Sequence, residues 1–404
     1  MIDSIVIVGG GHAAAHLCVA LGEAGAGPRV HVVCEEPAHP YQRPPLSKSY
    51  LKDAKESLQL HRDAAWYAAQ GITLHLGDPA RFVDRAGRKV RLASGRELPY
   101  GKLVLATGTR ARTLPALEAP LANVLSLRSV ADADAMRARL HRQGGGELVV
   151  LGGGFIGLEV ASSARHLGWD VLVLEAAPRL LARSASPELS ACILRHHLEM
   201  GTRVELGASV GGFETDGTRL AGLTVNGAFK AIDQFLLGIG AVPEVSLAMA
   251  AGLQVGNGIE VDNAMVTSDP DVLAIGDCTS FDYRGQRTRL ESVQNANDQA
   301  KVAACTLLGQ PAAYHPTPFF WSDQGGLRLQ MVGLWRPGLD AVLRPGAAAS
   351  SLSLFHYDGQ QLVAVESVNA PVDHMWSRKL LEKGAAPLRQ QVADPQVTLK
   401  SLAS

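Results

Sequence analysis

Two stretches of this chain repeat one pattern of apolar and small residues. The first is an apolar run that ends at Val6-Ile7-Val8 and breaks into Gly9-Gly10-Gly11. A helical stretch and a second apolar run follow, closed by Glu35. The second stretch runs Val149-Val150-Leu151, breaks into Gly152-Gly153-Gly154, continues as a helix, and reaches Val171-Leu172-Val173-Leu174 with Glu175 behind it. Short apolar runs bounded by glycine read as buried strands. Three more runs have the same character: Leu103–Leu105 before Ala106-Thr107-Gly108, Phe235–Leu237 before Gly238-Ile239-Gly240, and Val272–Ile275 before Gly276-Asp277. Residues 72–100 alternate short strands and turns. A helix is expected from about Ser292 to Leu308. After residue 319 the apolar residues alternate, as in Leu352–Phe355 and Leu362–Val365, and an amphipathic helix lies near Trp376–Leu381. His39–Lys48 is proline-rich, and Ser47 is expected to cap a short helix over 48–52.

A strand, a glycine turn, a helix, a second strand and an acid make up a dinucleotide-binding βαβ unit. The first glycine allows a tight turn. The second lets backbone approach a pyrophosphate at the helix N-terminus, where free N–H groups favour an anion. The acid takes hydrogen bonds from the adenosine ribose. One such turn is weak evidence, but Gly152 follows Gly9 by 143 residues with every part in order. Two such units imply two bound dinucleotides and electrons passing between them.

Composition narrows the class. The chain has 404 residues, 47% apolar and 19% charged, which suits a soluble enzyme of two or three domains. With 38 basic and 39 acidic residues the net charge is −1, so bulk charge gives no surface for nucleic acid. No apolar stretch is long enough to span a bilayer. The first strand begins so close to the initiator Met that no cleaved leader is expected. Cys18, Cys34, Cys192, Cys278 and Cys305 are scattered, with no C-x-x-C pair, so neither a redox disulfide nor an iron–sulfur cage is expected. His196-His197 are adjacent and cannot share a helix face, which excludes them as paired metal ligands. A reducing cytoplasm fits these features.

The ordered signatures GGGxxxA, E, RPPLSK, ATG, GGGxIGLE, E, GIG, DVxAIGD and ESVxNA resemble those of the oxygenase-coupled NADH–ferredoxin reductases, a branch of the glutathione-reductase-like FAD/NAD(P) flavoproteins. The match covers residues 5 to about 330, with a looser match beyond. The resemblance implies an α/β fold with two Rossmann-like dinucleotide-binding domains and a C-terminal α+β domain. The FAD domain would comprise 1–109 and 238–318, split around an NAD domain at 110–237, with the last domain at 319–404.

By the same resemblance, FAD would meet Gly9, Gly11, Ala14, Glu35, Arg43, Lys48, Ala106, Thr107, Gly108, Asp277, Val293 and Trp321. Arg43 would neutralise the pyrophosphate, and Asp277 would bind ribityl hydroxyls. The helix starting at Ser292 would point its positive end at the flavin pyrimidine, where reduction leaves negative charge. NADH would meet Gly152, Gly154, Phe155, Ile156, Gly157, Glu175, Gly238, Ile239 and Gly240. Glu175 argues against a 2′-phosphate, while Arg179 leaves NADPH open. Lys48 and Glu159 would act together at the reacting centre: the lysine beside flavin N5, the glutamate positioning it. Hydride transfer otherwise needs stacked rings rather than an acid or base.

With no iron–sulfur ligands of its own, the chain would pass single electrons to a separate [2Fe–2S] ferredoxin serving a Rieske oxygenase or a cytochrome P450, in aromatic hydrocarbon catabolism. Arg110, Arg112, Arg287, Arg289 and Arg336 are candidate docking residues, though solvated surface charge is the plainer reading of each. The resemblance implies a monomer without membrane or nucleic-acid partners. Two alternatives stay open: a reductase with another acceptor, such as rubredoxin, monodehydroascorbate or oxygen, and a redox-sensing flavoprotein.

Overall fold

The apolar runs form the middle strands of two parallel sheets. The computed structural model describes residues 4–117 and 121–403. Its contacts gather the chain into two units: Met1–Arg43 with Ser57–Arg110 and Ala241–Pro316, and Pro44–Glu56 with Ala111–Gly240 and Thr317–Ser404.

In the first unit, five strands lie in the order Val272–Ala274, Lys102–Leu105, Ile5–Val8, Val30–Cys34, Thr73–Leu76, all parallel. Ile5–Val8 is buried along its whole length, as a central parallel strand covered on both faces must be. The helices His12–Glu23 and Val293–Leu307 pack together. They present Ala14, Leu17 and Leu21, and Ala300, Ala303 and Ala304, to one core. Residues 80–99 form a small antiparallel sheet of three strands.

The second unit repeats the plan. Arg203–Leu206, Asp170–Glu175, Glu147–Leu151, Gln234–Leu237 and Val124–Leu125 form a parallel sheet in that order. A three-stranded antiparallel sheet spans residues 210–231. The C-terminal part is a five-stranded antiparallel sheet in the order Phe319–Gln324, Leu327–Gly333, Gln361–Val368, Leu352–Asp358, Asp340–Pro345. The amphipathic helix Pro371–Glu382 packs on two of its strands. The helix Phe155–His166 is buried on every side from Gly157 to Ala164. It contacts the parallel sheet, the C-terminal strand Phe319–Gln324 and the short helix Ser49–Lys52. Its run of Ala161-Ser162-Ser163-Ala164 is small enough to permit that enclosure.

One expectation is corrected here. Ser47 ends a 3-10 turn over Pro44–Ser47 and is not the cap of Ser49–Lys52; Lys48 takes the cap position, and the Ser47 hydroxyl is drawn to a buried carboxylate instead. By its contacts, segment 44–56 groups with the second unit, and Leu51 lies in that unit's core.

Burial also shapes the response to acid. It pushes His61, His197 and His374 down to about 4 from a usual 6.5. These groups gain protons more readily when unfolded, so stability is full above pH 6.5 and falls as pH drops towards 4. Urea unfolding at pH 6.5 and at pH 4 should show the lower midpoint at pH 4. The variant His374→Phe, with no proton to gain there, should lose less.

Candidate functional site

Both glycine turns are built in the same way. Gly9 has φ +128°, and a Cβ there would lie 2.2 Å from the Ala106 carbonyl oxygen. Gly152 has φ +107°, and its Cβ would lie 2.4 Å from the Gly238 carbonyl oxygen. Only glycine satisfies both the left-handed backbone and the contact. The neighbouring strands interlock through backbone: Ala106 N–H donates to Val8 O and Gly238 N–H to Leu151 O, each at 2.8 Å. This accounts for the small residues of Ala106-Thr107-Gly108 and Gly238-Ile239-Gly240. Thr107 Oγ1 also donates to the Glu244 carbonyl at 2.5 Å. Gly157 completes the second turn: its Cβ would meet Gly152 O at 2.5 Å, whereas Ala14 fills the equivalent place in the first unit as a buried methyl.

The middle glycines behave differently. A Cβ on Gly11 would meet nothing within 4 Å, and one on Gly154 would have its nearest neighbour at 3.9 Å. Neither helix that starts there has a side-chain cap. Each turn therefore presents uncapped N–H groups to open space, which is what a pyrophosphate requires.

The acids differ. Glu35 is exposed and makes no hydrogen bond among the described residues. Glu175 accepts from Gly153 N–H at 2.6 Å through one oxygen and from Ala177 N–H at 2.7 Å through the other. It thus ties the glycine turn to its own strand end. Arg179 is committed elsewhere: it donates to the Ala185 and Ala182 carbonyls at 2.7 Å each and lies over the Trp335 ring. Phe155 packs against Phe320 at 4.5 Å between ring centres, and Ile156 is 46% exposed at the helix start.

Other expected residues fall as follows. Arg43 pairs with Glu36 at 2.8 Å and touches the Tyr41 hydroxyl, a partnership that the sequence reading missed although Glu36 adjoins Glu35. Ser292 caps the helix Val293–Leu307 by accepting from Asn295 N–H at 3.1 Å. Asn295 is held in turn by Tyr314 at 2.5 Å. Gln299, one turn further on, accepts from Gly276 N–H at 2.6 Å and so holds the turn that carries Asp277. Gln299 was missed as well; its signal is the i+4 spacing from Asn295 on one helix face. The buried Cys278 thiol is pushed up by burial, as suits packing rather than reactivity. Trp321 lies near-parallel to Phe319 within its strand. Arg110, Arg287, Arg289 and Arg336 each face an acid: Glu244, Glu260, Glu291 and Asp358. No metal-binding group of three ligands occurs among the described residues. His196 and His197 bond to the backbone and side chain of Gln324, at 2.9 Å each.

Lys48 and Glu159 do meet. Lys48 Nζ stands 2.6 Å from Glu159 Oε2, with Glu159 3% exposed. The Ser47 hydroxyl donates to the same oxygen at 2.5 Å, and the Ser322 hydroxyl to Oε1 at 2.6 Å. A carboxylate enclosed on the buried helix face must be paired, since leaving one buried charge alone costs roughly 3–5 kcal/mol. The two serines had no signal in the sequence pattern.

Comparison with known proteins places this geometry. Residues 3–300 match the model of the pyridine nucleotide-disulphide oxidoreductases, and residues 319–403 match that of the reductase C-terminal domain. The chain belongs to the pyridine nucleotide-disulphide oxidoreductase family. It is 42% identical to the ferredoxin–NAD(+) reductase component of the anthranilate 1,2-dioxygenase system of Burkholderia cepacia, over 99% of each chain. Its fold matches the crystal structure of the ferredoxin reductase for the CYP199A2 system of Rhodopseudomonas palustris, with TM-score 0.94, 40% identity and 100% of both chains covered. It also matches the reductase in a covalent putidaredoxin reductase–putidaredoxin complex, with TM-score 0.93 and 37% identity over 99% of this chain and 98% of that one. The resemblance read from the ordered signatures therefore holds, and the enzyme is an oxidoreductase that uses FAD and NAD(H). The two open glycine turns suit two such dinucleotides.

The turns give separate tests. Gly9→Ala and Gly152→Ala each force strain of about 1–3 kcal/mol. Gly9→Ala should purify with less FAD, read from the flavin absorbance. Gly152→Ala should keep its FAD while its NADH Kd rises about tenfold or more.

Proposed function

We propose that this reductase takes a hydride from NADH and delivers single electrons to a [2Fe–2S] ferredoxin that serves a Rieske oxygenase or a cytochrome P450. The observation that carries the reading is the pair of glycine turns built alike, each with uncapped N–H groups facing open space. When bound, FAD supplies the conversion of a two-electron donor into one-electron steps. The residues of this chain bind and orient.

In the first unit, Gly9, Gly11 and Ala14 shape the seat for the FAD pyrophosphate. Glu35 takes the ribose, Ala106–Gly108 line the seat, and Asp277, held by the Gln299–Gly276 contact, takes the ribityl chain. The helix begun by Val293 offers its positive end to the pyrimidine. In the second unit, Gly152, Gly154 and Gly157 seat the NADH pyrophosphate. Phe155, Ile156 and Gly238–Gly240 enclose the nicotinamide end, and Glu175 receives the adenosine ribose. Lys48, positioned by Glu159, would present its ammonium to the flavin, and Trp321 would contribute to the same FAD site. Three domains, at 1–109 with 238–318, 110–237 and 319–404, carry these roles.

The ferredoxin comes from the relatives, which are named as ferredoxin reductases of oxygenase systems. A monomer in the reducing cytoplasm is part of the same proposal. Among the described residues no helix is long and apolar enough to cross a membrane.

Glu175 is fixed by two backbone bonds and Arg179 is engaged with carbonyls of its own loop, so a 2′-phosphate would meet a carboxylate that Arg179 does not offset. The kcat/KM ratio should favour NADH over NADPH about a hundredfold, because juxtaposed like charges cost several kcal/mol. Parity between the two would refute the seat assigned to Glu175. Anaerobic stopped-flow tests the whole: NADH should bleach the flavin band rapidly, and an oxidised [2Fe–2S] ferredoxin should restore it. A bleached enzyme that only oxygen or rubredoxin reoxidises points to a different acceptor. A long-lived charge-transfer band with no onward transfer points to a sensor.

A further inference from the structure

Strand Phe319–Gln324 breaks the usual rule for a buried face. Its alternate residues Ser322 and Gln324 point inward and are wholly buried, yet both are polar. They are not isolated. Gln324 Nε2 donates to Ser322 Oγ at 3.1 Å, and Ser322 Oγ donates to Glu159 Oε1 at 2.6 Å. At the other end His197, itself wholly buried, stands with Nε2 2.9 Å from Gln324 Oε1. An amide oxygen only accepts, so His197 carries its proton on Nε2 and donates. The other ring nitrogen, Nδ1, has no partner. Every donor in the row points the same way: His197 to Gln324, Gln324 to Ser322, Ser322 to the carboxylate. His196 holds the same strand through the Gln324 carbonyl at 2.9 Å.

We propose that Ser322, Gln324 and His197 are positioning residues that hold the Glu159 carboxylate in one orientation and thereby aim the Lys48 ammonium. Gln324 donates to one lone pair of Ser322, and the Ser322 hydroxyl gives its own proton to Glu159. Ser322 then binds Oε1, so that Oε2 faces Ser47 and Lys48. The row uses the C-terminal strand as the fixed point for a charge carried on a short loop helix. Buried hydrogen bonds in series favour a single arrangement in this way. The histidine pair, excluded as a metal site, gains a purpose here. The inference rests on the place of Lys48 beside the flavin.

The test uses the FAD-loaded enzyme with Ser322→Ala, Ser322→Thr, Gln324→Leu and Lys48→Met. Flavin midpoint potential, FAD content, melting temperature and the rate of reduction by NADH are measured for each. Lys48→Met should move the potential in the negative direction, because a cation that favours the electron-rich flavin is gone. Ser322→Ala and Gln324→Leu should move it the same way by a smaller step, and reduction should slow about tenfold, the order of one lost charged-group hydrogen bond. Ser322→Thr, which keeps the hydroxyl, should restore wild-type values. If Ser322→Ala lowers the melting temperature but leaves potential and rate unchanged while Lys48→Met shifts them, the row is only structural and the proposal fails alone. If Lys48→Met moves nothing, the assignment of Lys48 fails and the proposal goes with it.

Discussion

A backbone contact used twice governs this molecule. In each parallel sheet the central strand runs into a glycine that lies against the carbonyl just beyond its neighbouring strand: Gly9 against Ala106, Gly152 against Gly238. That approach leaves no room for a Cβ and demands a left-handed backbone. With the chain turned so sharply, the following helix starts with its N–H groups uncapped at the carboxyl edge of the sheet. An open parallel sheet binds ligands at this edge. The flanking small-residue segments Ala106-Thr107-Gly108 and Gly238-Ile239-Gly240 follow from the same contact.

The second unit adds a different constraint. Its glycine-turn helix is covered on all sides, so Glu159 is a charge placed where solvent cannot reach it. Desolvation makes such a carboxylate costly unless several donors converge on it. The donors come from two separate parts of the chain, the loop at Ser47–Lys48 and the C-terminal strand at Ser322, with Gln324 and His197 lined up behind Ser322. Segment 44–56, which carries Ser47 and Lys48, groups with the second unit.

Local order was readable where local chemistry decides it. Apolar runs bounded by glycine, the two βαβ units, the helix over 293–307 and the alternation beyond residue 319 follow from periodicity and from turn residues. The Lys48–Glu159 pairing came from family resemblance, since no spacing rule joins residues so far apart. One reading shifted for a physical reason. Ser47 was a plausible helix cap by residue type, but a buried carboxylate is a stronger acceptor for its hydroxyl than a short helix end is a donor to it. The Arg43–Glu36 pair joins residues seven apart in one loop, and no spacing rule pointed to it.

From its sequence alone, this chain determined the strands, the glycine turns and the acids that follow them, because each depends on residues within a few tens of positions. The tertiary structure alone decided which polar groups share a buried space: Ser322 with Glu159, Gln299 with Gly276, His197 with Gln324. Those partners are chosen by packing, which brings distant segments together, and most polar groups enclosed in that way find a mate.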